Sequence, residues 1–155
     1  MSVGAYCLRT VRTAAPAETA RAAAQRMQAE HVGCLVVTEH DLPVGVVTDR
    51  DIALHILTDD LDPEKERVRD IMQSPVVTIA REASLADAVK ALRKATVRRL
   101  VVVDEAGKVA GVFAADDLLR LLATEIDDLA EALRVQFTSE AKATPSAVAE
   151  GPSHA

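Results

Sequence analysis

Aromatic side chains are nearly missing from this chain: 155 residues contain no Trp, one Tyr and two Phe. That scarcity argues against a platform on which unpaired bases stack. An excess of basic residues is missing as well. Lys and Arg total 18 against 24 Asp and Glu, for a formal net charge of −6. A surface of that sign repels phosphate backbones and anionic lipids, so neither nucleic acid nor membrane is expected as a partner. No apolar run approaches the ~20 residues that span a bilayer, and Met1 to Arg12 lack the apolar core of a signal peptide. The two cysteines, Cys7 and Cys34, have neither C-x-x-C nor metal-type spacing. The expected setting is therefore the cytoplasm, with reduced thiols. His31, His40, His55 and His154 show no metal-ligand spacing. No G-x-S-x-G, P-loop or acid–base constellation is found. No catalytic residue and no metal ligand is assigned, and the chain is not expected to be an enzyme.

What is present is a repeat. Hydrophobic residues make up 49% and charged residues 27% of the chain, the balance of a globular fold. A displacement of 65 positions carries Val11 and Thr13 onto Val76 and Thr78. The same displacement carries Thr19 onto Ser84, Ala23 onto Ala88, Met27 onto Leu92 and Leu35-Val36-Val37 onto Leu100-Val101-Val102. One residue inserted in a turn then brings Gly45-Val46 onto Gly111-Val112 and Asp51 onto Asp117. A turn is where a hairpin tolerates a change in length.

Each copy reads as β-α-β-β-α. A short β-favouring stretch (Val11 to Thr13; Val76 to Ile79) precedes Thr19 or Ser84, which are placed as helix N-caps. Ala20 to Ala29 and Leu85 to Ala95 carry apolar residues at helical spacing. Cys34 to Val37 and Leu100 to Val103 are apolar without alternation, as in a strand covered on both faces. Turns at Glu39 to Pro43 and Asp104 to Lys108 lead to second strands, Val44 to Val47 and Val109 to Phe113. Closing helices open near Asp49 and Asp116. Leu119, Leu122, Ile126, Leu129 and Leu133 make the last helix amphipathic, a stripe most simply read as core or groove packing, with a dimer contact as the other use. Asp59-Asp60 and Asp127-Asp128 read as solvated faces.

The V-x-T stretch, the Ser/Thr that opens a helix, the apolar strand and Gly45-Val46-Val47-Thr48-Asp49-Arg50-Asp51, all in this order and twice over, resemble the CBS domain (cystathionine β-synthase type). The resemblance implies an α/β fold of two tandem β-α-β-β-α repeats related by pseudo-two-fold symmetry, with an extended C-terminal helix. The domains expected are repeat 1 at 5–58, a linker at 59–67, repeat 2 at 68–125, the end of the C-terminal helix at 126–137 and a flexible tail at 138–155. It also implies two clefts between the repeats that hold adenine-containing ligands.

In the first cleft, the resemblance implies Asp51 on a ribose diol and Thr48 near it, with Arg50 able to reach phosphate. Thr48 and the acids Asp49 and Asp51 equally suit an ordinary helix start. A basic pair at the mouth of the partner strand, Arg98 and Arg99, is implied to reach across. Thr13 and Asp117 are weaker candidates. The second copy reads Ala114-Ala115-Asp116-Asp117 and faces Gly33 and Cys34. With no hydroxyl and no cation it is expected to refuse a phosphate, leaving one nucleotide per chain.

The function implied is a stand-alone regulatory sensor that binds AMP, ADP, ATP or S-adenosylmethionine as a regulatory ligand and signals to a protein partner, with no obligatory cofactor. A homodimer is expected. The alternative is a ligand-free dimerisation scaffold.

Overall fold

The computed structural model describes residues 2–7 and 10–143. Of these, the residues up to Asp117 form one compact unit and those from Leu118 onward a second. In chain order the elements are α1 (Val3–Tyr6), β1 (Thr13–Ala14), α2 (Ala20–Glu30), β2 (Cys34–Glu39), β3 (Leu42–Thr48), α3 (Asp49–Thr58), α4 (Val68–Ile71), β4 (Thr78–Ala80), α5 (Leu85–Ala95), β5 (Arg99–Val103), β6 (Val109–Ala114) and α6 (Ala115–Ala143). The fold is α/β, two copies of β-α-β-β-α, each headed by a four-residue helix and the second ended by a long one.

Each copy holds one three-stranded sheet, ordered β1-β2-β3 and β4-β5-β6. The first pair in each is parallel (Thr13 opposite Val36; Thr78 opposite Val101) and the second antiparallel (Leu35 opposite Val47; Leu100 opposite Phe113). The strands β1 and β4 begin two residues later than their composition suggests, at Thr13 and Thr78. Between β2 and β3 the turn has only two residues, His40 and Asp41, at φ 52° and 66°. Positive φ at both positions matches the twist of a two-residue hairpin. The longer turn of the second copy closes through Gly107 at φ 78°.

Local signals start the helices. The Thr19 hydroxyl accepts from Ala22 N at 3.1 Å, and the Ser84 hydroxyl from Asp87 N at 3.1 Å. Ala20, Ala23 and Met27 on α2 face inward with Leu35, Val37, Val47 and Ile52, and these form the core of repeat 1. In a strand neighbouring side chains point to opposite faces, so Val36 is buried on the face away from that core, as Val101 is in β5. Both central strands are thus covered twice. Burial of each such Val or Leu contributes about 1.5–3 kcal/mol.

Two features of the chain's course were not visible in the sequence. The helices α1 and α4 each dock on the other repeat. Gly4 N donates to Arg81 O at 2.8 Å, and Arg69 N donates to Pro16 O at 3.0 Å. Val68, although it heads the second copy, lies in the core of repeat 1, with Ile71 and Met72 packed against it. The 59–67 segment also lies on repeat 1: Glu66 O accepts from Ala20 N at 2.9 Å, and Glu66 contacts His55 at 2.9 Å.

The last helix departs from expectation twice. It continues to Ala143 rather than stopping at 137. Between Ala115 and Ala143 the sequence holds neither Gly nor Pro to break the helix. Of the expected tail at 138–155, residues 138–143 are helical and 144–155 lie outside the described residues. Its apolar stripe is also not core: Leu119, Leu122, Ile126, Leu129 and Leu133 are all exposed. Spacing reports which residues share a face, and carries no information on whether a partner covers it. Among the described residues, no helix is long and apolar enough to cross a membrane.

Candidate functional site

Two cavities lie where the copies meet, and they are equivalent under the repeat. The larger, about 270 Å³, is lined by Val46, Thr48, Gln73, Pro75, Val76, Val77, Thr96, Val97, Arg98 and Arg99. It is apolar along its valines and basic at one end, and lies just below the usual ligand-pocket range of about 300–1,000 Å³. The other, about 200 Å³, is lined by Thr10, Val11, Arg12, Val32, Gly33, Cys34, Val36, Arg99 and Val112.

Local structure explains why these residues converge. Thr48 ends β3 and caps α3, so its side chain is held at the sheet's edge. Arg98 and Arg99 stand at the mouth of β5, after Thr96 has turned the chain out of α5 in a left-handed conformation (φ 55°, ψ 37°). That conformation is uncommon for a β-branched residue. Gln73 is brought in by a two-bond bridge to Val46: Gln73 N donates at 2.8 Å and Gln73 O accepts at 3.1 Å. This crossing passes over Gly45, where a Cβ would come within 2.5 Å of Met72 Sδ and 3.1 Å of Gln73 O. Gly45 therefore permits the close approach. Gln73 was not among the residues singled out by sequence. An amide on a four-residue helix exit carries no pattern that marks it.

The sequence candidates are placed as follows. Thr48, Arg98 and Arg99 line the larger cleft together. Asp51 does not line it, and its carboxylate is hydrogen-bonded to Thr48 and Gln73. Oδ2 accepts from Thr48 N at 2.9 Å, from Thr48 Oγ1 at 2.7 Å and from Gln73 Nε2 at 3.1 Å, and Oδ1 accepts from Gln73 Nε2 at 3.0 Å. With Asp51 N donating to Thr48 Oγ1 at 3.1 Å, this completes a capping box. Arg50 is exposed on the first turn of α3 and does not line the cleft. Thr13 lines a separate polar groove with Asp41, Asp104 and Lys108. Asp117 accepts from Ala114 N at 3.0 Å, half of the box that Thr48 and Asp51 complete.

The second cleft was expected to receive only Gly33 and Cys34 and to lack a cation, yet Arg12 and Arg99 also line it. Arg99, a single long side chain, thus lines both clefts. Arg12 is paired with Glu30. Asp116 is not unopposed either: Arg98 Nη2 lies 3.5 Å from its Oδ1. The asymmetries that remain are the missing hydroxyl at Ala114, the smaller cavity, and Arg98 and Gln73, which line only the larger cleft. Cys34, in the second cleft, has its thiol pushed up by burial; Arg99 opposes this, while Asp51 and Asp49 add to it. Among the described residues no cluster of three His, Cys, Asp or Glu could hold a metal ion.

Comparison with known proteins bears on this geometry. An uncharacterized protein of Methanopyrus kandleri is 35% identical over 122 residues, covering 78% of this chain and 62% of that protein. A CBS domain-containing protein of Bacillus subtilis is 33% identical over 108 residues, 70% of this chain and 76% of its own length. The chain spans 40% and 59% of two relatives from Methanocaldococcus jannaschii. Among solved structures, a CBS domain protein from Pyrobaculum aerophilum complexed with AMP superposes with a TM-score of 0.69 at 28% identity, covering 80% of this chain and 99% of that one. Hypoxic response protein I, known from Mycobacterium tuberculosis and solved with two coordinated zinc ions, gives a TM-score of 0.69 at 26% identity, over 77% of this chain and 98% of that one. The family model of the CBS domain matches twice, over residues 3–58 and 68–124, and the chain accordingly belongs to the CBS domain family, as a tandem pair.

Proposed function

We propose that this CBS pair is a regulatory module that binds an adenine nucleotide in the larger cleft and transmits the occupancy to a protein partner. The observation that carries the reading is the convergence of Thr48 from one copy with Arg98 and Arg99 from the other across an apolar cleft. Val46, Val76, Val77 and Val97 offer a base apolar walls, and the guanidiniums offer a phosphate charge-assisted bonds. The AMP held by the Pyrobaculum aerophilum relative supports the same ligand class here. ADP and ATP carry further phosphates that the same arginines could bind. S-adenosylmethionine presents a sulfonium instead of a phosphate, so two arginines favour the nucleotide over it.

Binding shifts the balance between two arrangements of the repeats by as much as the ligand prefers one of them. No bond need be made or broken for this role. Thermal denaturation with AMP, ADP, ATP and S-adenosylmethionine tests the reading, since a ligand that binds only the folded state raises its stability. A rise with AMP at micromolar to millimolar concentration supports it, and no rise with any of the four overturns it.

A second reading, assembly, is favoured by one observation. Leu119, Leu122, Ile126, Leu129 and Leu133 are exposed on a single face of α6. A second copy covering that face would make the module a homodimer. Assembly without any ligand response is the scaffold alternative.

A further inference from the structure

We propose that the Gln73 side chain is an internal stand-in for a sugar diol: it occupies the Asp51 carboxylate in the ligand-free chain and must be displaced by a ribose. The inference rests on the nucleotide reading of the cleft and adds how that site is regulated.

An ionised carboxylate offers about four acceptor positions. At Asp51 four contacts are already made, three on Oδ2 and one on Oδ1, so a pair of hydroxyls bridging both oxygens has to take the place that Gln73 holds on Oδ2. Two come from Thr48, through N at 2.9 Å and Oγ1 at 2.7 Å, and hold the carboxylate against the start of α3. The other two come from Gln73 Nε2, at 3.0 Å to Oδ1 and 3.1 Å to Oδ2. Neighbouring ribose hydroxyls would need two such positions. Those that can be released without unmaking the helix cap are the two held by Gln73. The arrangement of the cavity agrees: Gln73 lines the cleft and Asp51 does not.

The main chain of Gln73 is tied to Val46 by two backbone bonds, whereas its side chain is exposed. The amide can therefore swing away by rotation about its own bonds without disturbing the sheet edge. Its repeat partner is Leu8, which has no amide to give. A binding site whose competent form is only partly populated has its apparent affinity reduced by that fraction. The latch thus lowers the affinity for any ligand that uses Asp51, and it leaves untouched one that does not.

Titration calorimetry of the wild-type chain and Gln73→Leu, each with AMP and with 2′,3′-dideoxyadenosine 5′-monophosphate, tests the proposal. Leucine keeps the bulk and the backbone bonds but cannot donate. The expected result is AMP binding ~5-fold tighter in Gln73→Leu, the size of one modest exposed hydrogen bond, with no gain for the dideoxy compound. Unchanged or weaker AMP binding by Gln73→Leu, with wild type binding AMP, overturns the latch and leaves the nucleotide site standing. An equal gain for both ligands also overturns it, because the variant would merely have widened the cleft. No AMP binding by either chain removes the nucleotide reading and the latch together. In the wild-type chain, the side-chain amide protons of Gln73 should shift on saturation with AMP and stay in place with the dideoxy compound, a readout that needs no variant; amide protons that stay in place with AMP overturn the latch.

Discussion

Val3 and Val68, 65 positions apart, occupy equivalent places on opposite repeats: both are fully buried, Val3 N donates to Ala83 O at 2.8 Å, and Val68 N donates to Glu18 O at 2.9 Å. Each repeat is completed by a helix that heads the other, so neither copy holds a finished core by itself. Val68→Ala should therefore destabilise repeat 1, although Val68 stands beyond that repeat in sequence. Loss of two buried methyl groups costs about 2 kcal/mol with the cavity included. Hydrogen exchange should show lost protection in α2 and β3. Losses confined to α5 and β6 would contradict the exchange of helices.

At the cap position of the closing helices the two copies differ by one hydroxyl, Thr48 against Ala114. Thr48→Ala should cost about 1 kcal/mol of stability, the usual worth of an N-cap. Ala114→Thr should recover stability of similar size, because Asp117 already accepts from Ala114 N at 3.0 Å and needs only the hydroxyl. Urea denaturation of both variants measures this. A neutral Thr48→Ala would show that the capping box contributes nothing to stability.

The Cys34 thiol is held above its ordinary pKa, first by burial, with Arg99 opposing and the carboxylates of Asp51 and Asp49 adding to the rise. A raised value means that less thiolate is present at a given pH, and the thiolate is the nucleophile. Iodoacetamide should modify Cys34 in the folded chain at pH 8 more slowly than a free thiol, with the rate still climbing above pH 9. The sign for stability follows: the neutral thiol suits the fold, so this contribution is complete below the unfolded thiol's pKa and is lost as pH rises through the raised folded value. Modification at pH 8 as fast as that of a small free thiol would contradict the burial.

The exposed stripe on α6 follows a three-four spacing through Leu119, Leu122, Ile126, Leu129 and Leu133, the pattern of a helix seam. Sedimentation of the wild-type chain at micromolar concentration should give a dimer, and Ile126→Lys with Leu129→Lys should give a monomer whose melting is little changed. A wild-type monomer, or a double variant that remains dimeric, would remove this helix from the interface.

How much of this was legible follows the range of each signal. Thr19 and Ser84 as caps, the apolar strands around Val36 and Val101, and the pairing of Gly45 with Gly111 are short-range or repeated patterns, and a sequence displays them. Exchange of α1 and α4 was invisible, since four-residue helices have no periodicity and their partners lie far along the chain. Thr48, Arg98 and Arg99 could be expected in one cleft because the resemblance to the CBS domain implies that arrangement. What was overlooked is that Arg99 lines both clefts, which follows from the folded chain and from no local pattern. Gln73 reaches Asp51 across 22 positions, and neither residue type marks such a contact in advance.

The account turns on a phosphate held by Arg98 and Arg99. Titration calorimetry with AMP and with adenosine, on the wild-type chain and on Arg98→Ala/Arg99→Ala, addresses it most directly. Arg98 must leave Asp116, 3.5 Å away, and both guanidiniums are exposed, so roughly a tenfold loss of AMP affinity is expected for the pair. Adenosine affinity should stay nearly constant. One equivalent of AMP per chain should bind with the higher affinity, because a single Arg99 lines both clefts. Two equal sites per chain, or the same loss for adenosine as for AMP, would contradict the assignment.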